Sequence, residues 1–220
     1  MNAAVEDYLK LIYELEQEYP NEYIKNATLA NHFGYTLQSV NEMIKRMESK
    51  RFLTYKPYKG VRLSEKGKKE ALRMIRAHRL WEVFLSDKLG LSWESLHEEA
   101  EKLEHSTSDR ILGMLYEYLK RPQYCKHGNP IPDEKGRLPT AYRQSLASMK
   151  AGVALEIRRV VDHKPLLHHL NTLGLGLGDT VEVLEKDGFS ELITIRKDGQ
   201  PLTLSYHVAS MIYGVPREPF

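Results

Sequence analysis

Residues 26–63 read NATLANHFGYTLQSVNEMIKRMESKRFLTYKPYKGVRL, and this stretch decides the class of the N-terminal third. Leu29, Ala30 and Phe33 form a short apolar helical face that Asn26 or Thr28 can cap. Gly34-Tyr35 supplies a tight turn. Thr36 then caps a second helix, with Val40, Ile44 and Met47 at i, i+4 and i+7 facing inward. Helix, glycine turn, helix is the helix-turn-helix plan. The second helix has a polar early face of Thr36, Gln38, Ser39, Asn41, Glu42 and Lys45, the part such a helix offers to base edges in a major groove. Gln and Asn can pair with adenine, and Lys can reach guanine or phosphate. Two β-rich runs, 52–56 and 61–63, flank Pro57-Tyr58-Lys59-Gly60 and read as a hairpin. A hairpin in this place is a wing, on which Lys56, Lys59 and Arg62 can neutralise phosphates. A three-helix structural module without DNA is the competing reading.

Before this module, residues 4–18 have a helical apolar face of Tyr8, Leu9, Ile12, Tyr13 and Leu15, and Pro20-Asn21 ends it. Asp7 in its first turn reads, taken alone, as a carboxylate favoured by the helix dipole. After the module, Ser64 caps a long helix that Gly90 ends, basic in its first half and apolar in its second. On it His78 and Glu82 are i and i+4. A helix over 94–109 follows, containing LHEEAEKLEHSTSD at 96–109, and residues 108–120 continue as helix. Glu101, Glu104 and His105 stand at i, i+3 and i+4, with His97 one turn earlier. Two carboxylates and an imidazole so spaced can converge on one divalent cation, or form a solvated acidic face. Trp81, Leu91, Trp93, Ile111, Leu115 and Tyr118 are more apolar surface than a short helical domain easily hides, so a helix–helix dimer contact is one use for them and an ordinary core the other. Cys125 and His127 lie two apart in a loop, half of a metal site or nothing.

Residues 128–150 are rich in Gly, Pro and polar residues and read as a linker. Beyond them the period changes to β. Runs at 153–162, 179–187, 191–199 and 200–207 are strands, 166–174 is a short helix, and Asp187-Gly188 and Asp198-Gly199 are turns. The reading is a mainly α chain with a β C-terminal domain, the latter a small SH3-like barrel. The boundaries are 1–72 for the winged helix-turn-helix, 73–140 for a helical metal-binding and dimerisation domain, 141–150 for the linker and 151–220 for the barrel.

The chain has 220 residues with 41% hydrophobic and 28% charged, ordinary for a globular protein. It has no apolar run long enough to span a membrane, an N-terminus too acidic for a signal peptide and a single cysteine, which together point to the cytoplasm. Net charge is only +2, but residues 45–76 hold 12 Lys/Arg against 3 Asp/Glu, and residues 82–109 hold 8 Asp/Glu against 2 Lys. A basic segment followed by an acidic one fits an anionic partner and a cation site.

In order, these parts resemble the diphtheria toxin repressor family, metal-dependent regulators of iron or manganese uptake. The resemblance rests on EDYLKLIYELE at 6–16, HRLWEVFLSDKLGL at 78–91, HEEAEKLEH at 97–105 and HGNPIP at 127–132. It implies a homodimeric repressor that binds palindromic double-stranded operator DNA, with Mn²⁺ (or Fe²⁺) as corepressor. It implies a primary site of Asp7, Glu101, Glu104 and His105. The iron-responsive branch has methionine and cysteine where this chain has Asp7 and Glu101; two carboxylates there resemble the manganese-responsive branch and suit a harder cation. The resemblance also implies a second site of Glu82, Cys125, His127 and Asp162, with His78 and His97 as alternative ligands or supporting partners. Lys10 stands where compact manganese regulators carry a glutamate, which argues against their paired-metal site. Two rivals stand beside this reading. One is a metal-independent winged-helix DNA-binding protein. The other is a metallo-hydrolase, for which neither a separate general base nor an oxyanion element is visible.

Overall fold

The computed structural model describes residues 2–217. Helix α1 (Ala3–Glu18) is capped by the Asn2 side chain, which accepts from the Ala4 amide, and it buries Val5, Tyr8, Leu9, Leu11 and Ile12. Helices α2 (Asn26–Phe33) and α3 (Leu37–Ser49) are joined through Gly34 in the left-handed region. Thr36 caps α3 by accepting from the Ser39 amide, and Val40, Ile44 and Met47 are buried, as their spacing requires. The cap expected for α2 at Asn26 or Thr28 is not used. Lys25 occupies that position without a side-chain bond, while Asn26 donates to Asn41 across to α3.

Strands β1 (Leu53–Lys56) and β2 (Gly60–Leu63) form the wing. Its base is fastened by a reciprocal backbone pair between Ile24 and Val61, both N–H···O contacts 2.9 Å. A Cβ at Gly60 would lie 2.1 Å from the Ile24 carbonyl oxygen, so only glycine permits this approach. Ser64 opens α4 (Glu65–Leu89) by accepting from the Gly67 amide and donating to Phe52.

The run expected as one continuous helix is two, α5 (Leu96–Glu104) and α6 (Asp109–Tyr118). The break falls in Ser106-Thr107-Ser108. Thr107 donates to the Leu103 carbonyl, and Ser108 accepts from the Ile111 amide to start α6. Hydroxyl side chains thus compete with the helical ladder at this point.

The C-terminal sheet has six antiparallel strands in the order β3-β8-β4-β5-β6-β7: β3 (Gln144–Ser145), β4 (Ala154–Val160), β5 (Thr180–Asp187), β6 (Leu192–Lys197), β7 (Gln200–Ser205) and β8 (Ile212–Arg217). Helices α7 (Lys164–Thr172) and α8 (Tyr206–Ser210) complete an SH3-like domain around Leu155, Ile157, Val181, Val183, Ile193 and Ile195. Strand β8, with Gly214 and Pro216 inside it, does not announce itself in the sequence, yet it lies between β3 and β4.

The chain forms two compact units. The first comprises residues up to 78, 101–113 and 132–137, with a core from α1, α2, α3 and the wing. The second comprises 79–100, 114–131 and the residues from 138 on.

Candidate metal centres and nucleic-acid interface

Within the first unit, α1 and the end of α5 bring carboxylates together around His105. Asp7, Glu104 and His105 present ligand atoms all within 4.8 Å of one another. His105 Nε2 lies 3.0 Å from Asp7 and 3.6 Å from Glu104. Its other nitrogen, Nδ1, is 2.7 Å from Glu6, a buried carboxylate. Glu6 is absent from the sequence reading, and the signal for it was weak: it neighbours Asp7, and adjacent helical residues do not share a face. The fourth expected residue, Glu101, is half-exposed and lies 3.5 Å from the Lys10 ammonium.

Glu104 is fully buried and is the hub of this group. Lys10 donates to one of its oxygens at 2.8 Å, and His78 meets the other at 2.5 Å. Burial pushes the Glu104 carboxyl up, but the His78 hydrogen bond and the Lys10 charge outweigh it and hold the group below the usual carboxylate range. Burial likewise raises Asp7, against the opposing charges of His105 and Lys10. Lys10 is itself raised, because Glu104 and Glu101 more than offset its desolvation, so it stays charged.

In the second unit, Glu82, Cys125 and His127 are all buried and present ligand atoms within 4.8 Å. His127 Nδ1 is 3.0 Å from Glu82 and Nε2 is 3.0 Å from the Trp93 carbonyl, so both ring nitrogens face acceptors. An imidazole so placed donates twice only when protonated. Burial pulls the His127 pKa down, but its hydrogen bonds with Cys125 and Glu82 and the charges of Glu82 and Asp162 carry it up to about 11. Burial and the Glu82 charge raise the Cys125 thiol. Asp162, just past β4, lies 3.8 Å from His127 Nε2 and 2.7 Å from His97 Nδ1. Glu82, His97 and Asp162 also lie within mutual ligand distance. The loop carrying Cys125 and His127 is a backbone turn, with the Gly128 amide donating to the Cys125 carbonyl and the Val160 amide to that of His127. A Cβ at Gly128 would fall 1.9 Å from the Arg158 carbonyl oxygen, so glycine is what lets this loop lie on β4. His78, the other residue expected as an alternative ligand, belongs to the first unit, where its Nδ1 meets Glu104.

Both groups fit a divalent cation. Each gathers more carboxylates than lysines, and each is built around a buried carboxylate, Glu104 or Glu82. The first offers only oxygen and nitrogen. The second adds sulfur, which suits softer ions.

The candidate nucleic-acid face belongs to α3 and the wing. Thr36, Gln38, Ser39, Asn41, Glu42 and Lys45 are all exposed, as are Lys56 and Lys59. Arg62 is half-buried: its guanidinium stacks over the Tyr23 ring at 5.2 Å and donates to the Glu22 carbonyl. Lys56 covers the same ring at 5.0 Å. Among the described residues, no helix is long and apolar enough to cross a membrane.

Comparison with known proteins adds the following. Residues 1–61 match the family model of the iron dependent repressor N-terminal DNA binding domain. Residues 64–133 match that of the iron dependent repressor metal binding and dimerisation domain, and residues 144–216 the FeoA domain. The iron-dependent repressor IdeR of Mycobacterium tuberculosis is 34% identical over 175 residues, which cover 74% of this chain and 75% of IdeR. The solved structure of the manganese regulator SloR is 36% identical with a TM-score of 0.80, covering 97% of this chain and 98% of that one. A manganese-dependent transcriptional repressor solved in complex with manganese is 31% identical with a TM-score of 0.87, covering 96% and 99%.

Proposed function

The chain belongs to the iron-dependent repressor family of metal-dependent transcriptional repressors, and from that premise we propose that Mn²⁺ is its corepressor, held by Asp7, Glu101, Glu104 and His105. The observation that carries this reading is the convergence of Asp7, Glu104 and His105 from two helices, with no sulfur among the donors. A set of hard oxygens with one imidazole suits Mn²⁺ and gives thiophilic ions no special advantage. Bound there, the cation supplies positive charge that ties α1 to α5. Glu6 holds the His105 ring so that Nε2 faces the ligands, and His78 and Lys10 hold Glu104. Glu101, now beside Lys10, would be the fourth ligand.

A second site of Glu82, Cys125, His127 and Asp162 follows the same logic, with His97 orienting Asp162 through their 2.7 Å contact. Thr36, Gln38, Ser39, Asn41, Glu42 and Lys45 read bases of a palindromic operator at metal-uptake genes, while Lys56, Lys59 and Arg62 meet phosphates. Two copies act together, and the exposed stripe of Ile111, Met114 and Tyr118 along α6, at i, i+3 and i+7, supplies apolar surface for the contact. The protein works in the cytoplasm, where its operator lies.

The test is metal choice. Operator binding is titrated with Mn²⁺, anaerobic Fe²⁺ and Zn²⁺ for the wild type and for Glu101→Cys. Introducing sulfur should move the half-activating concentrations towards Fe²⁺ and Zn²⁺ relative to Mn²⁺ by about tenfold, a ligand-softness effect. Unchanged ratios would remove Glu101 from the site.

A further inference from the structure

We propose that Lys10 sets the metal affinity of the first centre: its ammonium shares the Glu104 oxygen that a bound cation needs, and its charge holds the affinity down. Glu104 has two carboxylate oxygens. Oε2 is taken by His78 Nδ1 at 2.5 Å. Oε1 is the oxygen on the side of the centre, 3.6 Å from His105 Nε2, and Lys10 Nζ donates to that same oxygen at 2.8 Å. Lys10 also stands 3.5 Å from Glu101, the other α5 carboxylate of the set. A divalent ion held by Asp7, Glu101, Glu104 and His105 therefore draws on two carboxylates that already face an ammonium.

The position of Lys10 keeps the two charges close. It lies three residues after Asp7 on α1, so the two side chains share a face of that helix. Its side chain is only 13% exposed, which leaves the ammonium little room to move out to water when the site is loaded. Ammonium and cation then stand within a few ångström of each other, where the repulsion of a single and a double charge is large even with solvent screening. A corepressor site has to empty when its ion becomes scarce, and a fixed positive charge weakens binding without removing a ligand. Coulomb repulsion depends on charge and not on the identity of the ion. Lys10 therefore sets the affinity for Mn²⁺, Fe²⁺ and Zn²⁺ alike, whereas the ligand atoms set the choice among them.

This inference rests on the reading of Asp7, Glu101, Glu104 and His105 as a metal site, and the test separates the two. Mn²⁺ and Zn²⁺ binding to the full-length, metal-stripped protein is measured at pH 8 by competition with a fluorescent chelator. The binding step that belongs to this centre is the one missing from Asp7→Ala. Lys10→Met removes the ammonium and its hydrogen bond, while Lys10→Gln removes the charge and keeps a donor for Glu104. Both should tighten that step by about tenfold or more, and equally for the two metals. Both should lower the half-activating Mn²⁺ concentration in operator binding by the same factor. In chelator both should melt below the wild type, because buried Glu104 loses its partner charge. Lower stability without metal together with tighter metal binding is the signature of a competing cation. If Lys10 only holds Glu104 in position, Lys10→Met should weaken metal binding and Lys10→Gln restore it. That result overturns the inference, as does an affinity unchanged in both variants or a shift confined to one metal. If Asp7→Ala removes no binding step, the metal-site reading itself fails.

Discussion

At His105 the two ring nitrogens have separate tasks. Nδ1 faces buried Glu6, while Nε2 faces Asp7 and Glu104, the side on which a cation would take it as a ligand. Replacing Glu6 with glutamine should keep every ligand and still cost about 10–100-fold in metal affinity, read by competition with a fluorescent chelator. Affinity equal to the wild type would mean that the ring is oriented by packing alone. His127 makes a second prediction. Its folded pKa of about 11 lies above the ordinary histidine value of 6.5, so the metal-free protein gains stability from its charge. That contribution is complete below pH 6.5 and declines as pH rises towards about 11. Chelated wild type should therefore lose melting temperature between pH 7 and 10, and His127→Gln should flatten that slope. Metal entering this site must also displace protons from His127 and Cys125, so calorimetry in buffers of different ionisation enthalpy should show proton release. The spacing of Glu101, Glu104 and His105 was readable in the sequence because a helix turns that spacing into a face. Glu6 was not, because its role depends on an imidazole 99 residues away.

Elements place these side chains, and the sequence announces some elements better than others. The helix-turn-helix was legible because Thr36, Gly34 and the 40/44/47 stripe agree with one another. The break between α5 and α6 was hidden because apolar periodicity runs through it, although three consecutive hydroxyl residues mark it afterwards. Strand β8 was hidden because Gly214 and Pro216 ordinarily interrupt strands. Gly214 is there for a reason: a Cβ at 214 would meet the Glu156 carbonyl oxygen at 2.0 Å, so glycine is required where β8 passes β4. The wing depends on a similar approach. Gly60→Ala combines a positive φ with a 2.1 Å clash on the Ile24 carbonyl, and should destabilise the first unit by about 2–4 kcal/mol in urea unfolding. It should weaken operator binding as well, since Lys56 and Arg62 lose the positions they hold over the Tyr23 ring. A variant as stable as the wild type would mean that the wing shifts without cost.

For the whole molecule, the question is whether metal and DNA are linked. A ligand shifts an equilibrium only by its different affinity for the two states, and a coupling of about 1–3 kcal/mol is typical. Asp7 sits on α1, whose buried face packs in the same core as α2, α3 and the wing, while Glu101 and Glu104 lie in the last turn of α5 and His105 directly follows it. Joining α1 to α5 through a cation therefore acts on the element that supports the recognition helix. The most direct measurement is fluorescence anisotropy of a labelled operator with protein first stripped of metal and then titrated with Mn²⁺, alongside a variant combining Glu101→Ala and Glu104→Ala. The account predicts tight binding that appears only with metal and is absent in the variant. Equal binding in chelator and in Mn²⁺ would contradict it, leaving a constitutive DNA-binding protein with a solvated acidic helix.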